Sequence, residues 1–293
     1  MKSIQTTSYK INFGDIAYNE LSTYIQNSKF SSIIIIVDSN TVDLCLPVLV
    51  EKLGHKICSR VIKFDFGEVN KNIRTCCDIW NSMASYGVDR NSLIINLGGD
   101  HGISVGSIPP MVRKYPDLKV LWFDAHADIN SPRTSLSGNF HGMPVNLISE
   151  LYMNNSPLLL RNLSYFGIRD LDLSEIEIIK NENINYYSSE EINKNSIQNI
   201  IDDVNSYHNL ENSKIHLSID IDGLDPKYCP STGTPSVEGM ELDDVCEIVN
   251  KITKIGEIVS LDLVEFNPLI GNEEDVEKTY NSIERLLVNI LKH

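Results

Sequence analysis

No two cysteines stand in a C-x-x-C spacing. The six in the chain (Cys45, Cys58, Cys76, Cys77, Cys229 and Cys246) are irregularly placed, which argues against a zinc knuckle or a thioredoxin-like redox site. Long apolar runs are also missing. The longest aliphatic block, Ile33-Ile34-Ile35-Ile36-Val37, is far too short to cross a bilayer and suits a strand buried on both faces. Met1 to Lys10 is polar and leads into no apolar h-region, so no secretory signal is expected and the chain is expected in the cytoplasm. Positive charge is scarce: 25 Lys+Arg face 40 Asp+Glu, for a formal net charge of −15. Such a surface repels polyanions and tolerates small cations, so nucleic acid and membrane are not expected partners.

Internal repeats, low-complexity tracts and a Pro/Gly-rich linker are absent as well. At 293 residues, 42% hydrophobic and 22% charged, the chain has an ordinary globular composition and can bury a large core. We read 1–293 as a single α/β domain, with residues 1–90 an atypical amino-terminal portion and 91–293 the portion that carries the chemistry.

Short β-like runs alternate with helical patterns along most of the chain. Strands are expected near 32–38, 61–66, 92–97, 118–123, 163–168, 214–221 and 257–264, many as unbroken Ile/Val/Leu blocks rather than alternating patterns. Helices are expected near 41–53, 71–86, 103–115, 173–180, 196–207, 241–253 and 273–292. In the segment 71–84, helical spacing puts Cys76 and Cys77 on a buried face, so they carry no expected metal or redox role. The β-α repetition predicts a three-layer α/β/α fold with a mostly parallel sheet. In such sheets ligands bind beyond the carboxyl ends of the strands, and the polar clusters lie there.

Four clusters matter. Gly98-Gly99-Asp100-His101-Gly102 follows the strand 92–97, and Asp124-Ala125-His126-Ala127-Asp128 follows 118–123. Asp220-Ile221-Asp222-Gly223-Leu224-Asp225-Pro226 closes the strand from Lys214, and Glu265 precedes Phe266-Asn267-Pro268. Residues two apart in extended chain share a side, so Asp124, His126 and Asp128 can converge, as can Asp220 and Asp222. With His101 they make four carboxylates and two imidazoles, an assembly that is unfavourable unless carboxyls are protonated or cations sit among them. Two divalent ions are the simpler answer. Oxygen and imidazole donors without thiolate favour Mn²⁺ over Zn²⁺, Co²⁺, Fe²⁺ or Ni²⁺. Such a centre would activate a bridging water and suit a cationic substrate.

Taken singly, each motif has a plainer reading. Gly-Gly-Asp-His alone would be a turn with Asp100 capping a helix, and D-x-D-x-x-D-P alone a loop of backbone-bonding acids. His216, inside a strand, reads as structural, and His55, His208 and His293 read as surface residues. The conjunction of D-x-H-x-D with D-x-D, each closing an apolar strand, carries the metal assignment.

These clusters resemble the ureohydrolase family, most closely the arginases, over about Leu93 to the end of the chain. The resemblance extends to Ser218 through Pro226, Thr232-Gly233-Thr234-Pro235 and Val264-Glu265-Phe266-Asn267-Pro268. It implies hydrolysis of the guanidinium group of L-arginine to L-ornithine and urea by a metal-bridging hydroxide, with two Mn²⁺ per subunit, in a homo-oligomer. It also implies that His101, Asp124, Asp128 and Asp220 hold one ion, and that Asp124, His126, Asp220 and Asp222 hold the other. Asp128 would hydrogen-bond the hydroxide, Glu265 would pair with the guanidinium, and His141, in Gly138-Asn139-Phe140-His141-Gly142, would be the proton shuttle.

For substrate choice, the resemblance assigns Asn130, Ser137 and Asn139 to an amino acid's α-carboxylate, Asp172 and Glu175 to its α-ammonium, and Thr234 to the lining. The plainer readings are a polar turn for Ser137-Gly138-Asn139 and an acidic first helical turn for Asp172 and Glu175. Agmatine or another guanidino compound is the alternative substrate.

The first 90 residues depart from this pattern, lacking the Gly-Ala-Pro strand end and the Gly-rich loop usual in the family. Ile34 to Asn40, Gly67 to Trp80 and Asp89 to Gly99 instead resemble the nucleotide-binding half of dehydroquinate synthase. That resemblance would bring Asp38, Glu68 and Lys71 to a dinucleotide, as in an NAD-binding regulatory protein. Because the synthase's Gly-Gly-Gly turn is here Gly98-Gly99-Asp100-His101, we take the segment to supply strands and helices only and expect no nucleotide cofactor. Gly102 stands where the family commonly has Ser.

Overall fold

Parallel pairing governs both larger sheets of the protein. The computed structural model describes residues 3–5, 10–12, 15–27, 32–38, 42–43, 46–53, 59–64, 92–97, 99–150 and 158–290. Contacts group the chain into two units, 1–99 with 136–140, and 100–135 with 141–293.

In the first unit, β3 (Ser32–Asp38) lies between β4 (Ser59–Phe64) and β5 (Ser92–Leu97), parallel to both. Ile33, Ile35 and Val37 pack with Ile25 of α1 (Asp15–Asn27) and with Leu46 and Leu49 of α2 (Leu46–Leu53). Ile34 and Ile36 are buried too, so the aliphatic block is covered on both faces, as its lack of alternation predicts. A short antiparallel pair, β1 (Ser3–Gln5) and β2 (Lys10–Asn12), accompanies them. The segment 65–91 lies outside the described residues, and with it the helix expected at 71–86, Cys76 and Cys77, and Glu68 and Lys71. Cys45, Cys58, His55 and His293 lie outside them too.

The second unit is built on a five-stranded parallel sheet of β6 (Lys119–Phe123), β7 (Leu163–Ile168), β8 (Asn185–Ser188), β9 (Lys214–Asp220) and β10 (Glu257–Val264), in the order β10-β9-β6-β7-β8. On one face Leu121, Phe123, Ile215, Leu217 and Ile219 pack against α7 (Ile197–His208), α8 (Leu242–Ile255) and α9 (Glu273–Ile290). In α8 the stripe Val245, Ile248, Val249, Ile252 has helical spacing and is buried throughout. The alternate residues Val120, Trp122, His216 and Ser218 point the other way and are equally buried. There α3 (Ser104–Lys114) meets β10, with Ser107 Oγ donating to Asp262 Oδ2. The fold is therefore α/β, with helices on both faces of a parallel sheet.

Chain order runs outward from β6 through β7 to β8, then crosses to β9 and β10 on the other side of β6. The crevice between the carboxyl ends of β6 and β9 is thus the topological switch point, where open α/β sheets bind ligands. Asp124 follows β6 directly and Asp220 ends β9.

Several short elements were not expected. Among them, β8 is a four-residue edge strand with Tyr186 45% exposed, and so lacks an apolar block. The others are α4 (Pro144–Glu150), opened by a proline at its first turn, and α6 (Ser189–Lys194), whose Ser188 accepts from Glu191 N while Glu191 accepts from Ser188 N. The helix α5 (Leu173–Asn181) lies where expected. His208 is not a surface residue: it continues the stripe Ile197, Ile200, Ile201, Val204 on the inner face of α7 and bonds Ser164 Oγ at 2.7 Å. Among the described residues no helix is long and apolar enough to cross a membrane.

Candidate metal centre

Two turns at the switch point present most of the acids. After β6, Asp124 N donates to Phe166 O, and Asp124 Oδ1 accepts from His126 N at 2.8 Å, which folds the chain back on itself. Ala125 O accepts from Arg169 N and Asp170 N, tying the turn to the end of β7. Asp128 then adopts φ +52°, in the left-handed region that short acids tolerate better than most residues, with Ala127 O bonded to Tyr165 OH and Asp128 O to Val145 N. After β9, Ile221–Gly223 forms a 3₁₀ turn in which Asp220 Oδ1 accepts from Asp222 N. Gly223 passes so close to Asp124 that a Cβ would lie 2.9 Å from its backbone nitrogen, which restricts the position to glycine.

The third element is the 3₁₀ turn His101–Ile103, capped by Asp100 Oδ1 accepting from Gly102 N at 2.8 Å. The capping reading of Asp100 is thus correct, and the cap sits at the site. His101 is buried and stacks on Trp122, ring centroids 3.9 Å apart and planes 11° apart. Its Nε2 is within 2.8 Å of Ser218 Oγ. That contact leaves Nδ1 aimed at carboxylates: Asp124 Oδ2 at 2.9 Å, and Asp128 Oδ2 and Asp220 Oδ2 both at 3.4 Å. None is in hydrogen-bonding geometry, so this fully buried nitrogen is close to charge but makes no hydrogen bond. Trp122 Nε1 donates to Asp124 Oδ2 at 2.9 Å.

His126 is more open, with its side chain 27% exposed, and places Nδ1 3.2 Å from Asp222 Oδ2 and 3.4 Å from Asp124 Oδ1. The donor atoms fall into two sets, each mutually within 4.8 Å: His101, Asp124 and Asp128, and Asp124, His126 and Asp222. Asp124 belongs to both. Across the 3₁₀ turn Asp222 meets His126 while Asp220 meets His101. Asp220 belongs to neither set.

Burial dominates the electrostatics. It raises the pKa of Asp128 and Asp220 well above the usual carboxylate range and that of Asp222 above it, with Asp124's charge adding to each. Burial works against ionisation of Asp124 too, but the two imidazoles outweigh it and hold Asp124 below the ordinary value. For the imidazoles burial disfavours the charged form, yet the surrounding carboxylates raise His101 to about 9 and His126 to about 12. All ion pairs described for these four acids are with imidazoles. The unbonded Nδ1, the shared Asp124 and an all-oxygen-and-imidazole donor set fit two hard or borderline divalent cations. Cys229 and Cys246 are buried and enter neither set, and burial pushes Cys229 up to about 12.

Glu265, at φ +67°, accepts from His101 N through Oε1 at 2.7 Å. Burial, then the nearby charge of Asp100, raises it to about 7. His141 is partly exposed, with Nδ1 3.6 Å from Asp100 Oδ2. Thr234 Oγ1 donates to Asp222 Oδ2 at 3.1 Å.

The matches to known proteins agree with this arrangement. The profile described as the Arginase family matches residues 38–292. The chain belongs to the arginase family. Plasmodium berghei arginase is 40% identical over 196 residues, 63% of this chain and 55% of that one, and Mus musculus arginase-1 is 38% identical over 209 residues, 67% and 65% of the two chains. The chain thus matches between about half and two thirds of the length of these relatives. The crystal structure of Entamoeba histolytica arginase in complex with L-ornithine superposes with a TM-score of 0.63 at 27% identity, covering 88% of this chain and 99% of that one.

Within this arginase-family chain the residues assigned to substrate already bond one another. Asn130 Nδ2 donates to Asp172 Oδ2 at 2.8 Å, and its Oδ1 accepts from Ser174 and Thr134 hydroxyls. Glu175, only 5% exposed, accepts from Ile129 N and Asp172 N, one on each oxygen. Ser137 and Asn139 lie in the segment 136–140, where Asn139 N donates to Ser137 Oγ at 3.1 Å. Sequence reasoning missed two supports, Trp122 and Ser218. Both were detectable, since each stands two residues before a proposed ligand on the same strand side.

Proposed function

We propose that the protein hydrolyses the guanidinium group of L-arginine to L-ornithine and urea, using two Mn²⁺ ions per subunit held by His101, Asp124, Asp128, Asp220, His126 and Asp222. The observation that carries this is Asp124, whose two oxygens serve two neighbouring donor sets. Such ions, when bound, would supply Lewis acidity that lowers the pKa of a coordinated water.

The remaining work belongs to side chains. Asp128, at the edge of the His101 set, accepts a hydrogen bond from the attacking water and orients it. Glu265 pairs with the guanidinium and offsets its repulsion by the cations. His141, at the partly exposed side, delivers a proton to the departing amine, a poor leaving group unless protonated. Asn130, Ser137 and Asn139 are proposed for the α-carboxylate, Asp172 and Glu175 for the α-ammonium, and Thr234 for the lining. The same reading carries the cytoplasmic setting and homo-oligomeric assembly expected from the sequence.

Glu175 is buried with both oxygens taken by backbone amides, which supports a role in holding the Ile129 turn rather than in meeting an ammonium. That does not choose between L-arginine and agmatine, since both carry the ammonium; agmatine, which lacks only the α-carboxylate, or another guanidino compound is the alternative substrate. Urea release from L-arginine and agmatine by the chelator-stripped, Mn²⁺-reloaded protein decides between them. Arginine-selective, manganese-dependent urea supports the proposal. Agmatine preference keeps the metal chemistry and discards the α-carboxylate contacts of Asn130, Ser137 and Asn139, and no urea from either refutes both.

A further inference from the structure

Arg169 stands at the carboxyl end of β7, and its guanidinium spends all five N–H donors on backbone carbonyls. Nε donates to Val237 O at 2.9 Å, Nη1 to Gly167 O at 2.9 Å and Gly223 O at 3.1 Å, and Nη2 to Asp222 O at 2.7 Å and Ser236 O at 2.8 Å. None of these bonds goes to a carboxylate, although the chain carries a net charge of −15. Its backbone N–H donates to Ala125 O at 2.8 Å. One residue therefore fastens the Asp124–His126 turn through its main chain and the Asp222–Gly223 turn through its side chain. It also fixes Ser236 and Val237, in the loop whose Thr234 hydroxyl bonds the Asp222 carboxylate.

We propose that Arg169 is a positioning residue that sets the geometry of the Asp124, His126 and Asp222 metal group. The proposal rests on the reading of that group as a metal site. Asp124 serves both sets, but apart from the one to Gly167 the side-chain bonds of Arg169 fall on the Asp222–Gly223 turn and on the loop whose Thr234 bonds Asp222, both on the side of this set, whereas His101 and Asp128 receive none of its bonds. A planar five-donor fork is required, because an ammonium has three donors and no fixed plane.

The test uses Arg169→Lys and Arg169→Met in the full chain, stripped with chelator and titrated with Mn²⁺, with bound metal per chain measured at each free concentration. Partners that orient metal ligands typically change affinity 10- to 100-fold. We expect one of the two ions to weaken by about that factor, and the other to stay within about twofold. His126→Asn should remove the same ion and add nothing to Arg169→Lys. Val249→Ala, in the core on the opposite face of the sheet, controls for destabilisation and should leave the two affinities unsplit. Equal weakening of both ions, or no weakening, overturns the proposal. If Arg169→Met fails to fold, Arg169→Lys, which keeps the charge, carries the measurement. Wild type that takes up no Mn²⁺ sinks the underlying metal reading, an outcome visible before any variant is made.

Discussion

Glu265 accepts the backbone amide of His101 at 2.7 Å across 164 residues of sequence, so a proposed metal ligand and the proposed substrate carboxylate share one contact. Glu265→Gln keeps an acceptor for that amide and removes the charge. Losing one partner of a desolvated charge pair costs about 2–5 kcal/mol. We expect kcat/KM for L-arginine to fall roughly thirtyfold or more, with Mn²⁺ content unchanged. Loss of metal together with activity would place Glu265 in the ligand framework instead.

Asp124 serves both donor sets, so Asp124→Asn should weaken both ions, while His101→Asn and His126→Asn should each weaken one. Metal per chain by elemental analysis separates the three variants. Asp220→Asn tests the second proposed bridge. Retention of both ions there would confine Asp220 to an electrostatic role beside His101.

His141→Ala should lower turnover by about 10²–10⁴, the range for a lost acid–base group, and leave bound Mn²⁺ intact. A variant with unchanged turnover would remove His141 from proton transfer.

Burial, followed by the charge of Lys119, lowers the pKa of His208 to about 4. Between pH 6.5 and about 4 the unfolded chain then binds more protons at this position than the folded one, so the stabilisation is present above 6.5 and is lost as pH falls through that window. His208→Gln keeps a partner for Ser164 and does not titrate. Urea unfolding at pH 7 and pH 4.5 should show wild type losing about 2–3 kcal/mol more than the variant. Equal losses would refute the assignment.

Strand positions were legible in the sequence: the block at 33–37, buried on both faces, and strands 92–97, 163–168 and 257–264 fall where their apolar runs place them. The turns that carry the proposed ligands were legible because acids and histidines follow such runs directly. That Asp220 meets His101 while Asp222 meets His126 was not, since alternation holds only while the chain stays extended and Ile221 begins a tighter turn. His208 was misread because one polar residue hides the continuation of an apolar stripe. The five carbonyls of Arg169 come from three separate segments, and no local pattern announces such a convergence.

Asp128 and Glu265 both hold their carboxylates out on left-handed backbone, at φ +52° and +67°. Glycine would relieve roughly 1–2 kcal/mol of crowding at each position, offset in part by its greater freedom in the unfolded chain. A library of this chain sorted for heat resistance alone should therefore drift toward glycine at 128 and 265, and its hardiest survivors would be the ones that had discarded the chemistry.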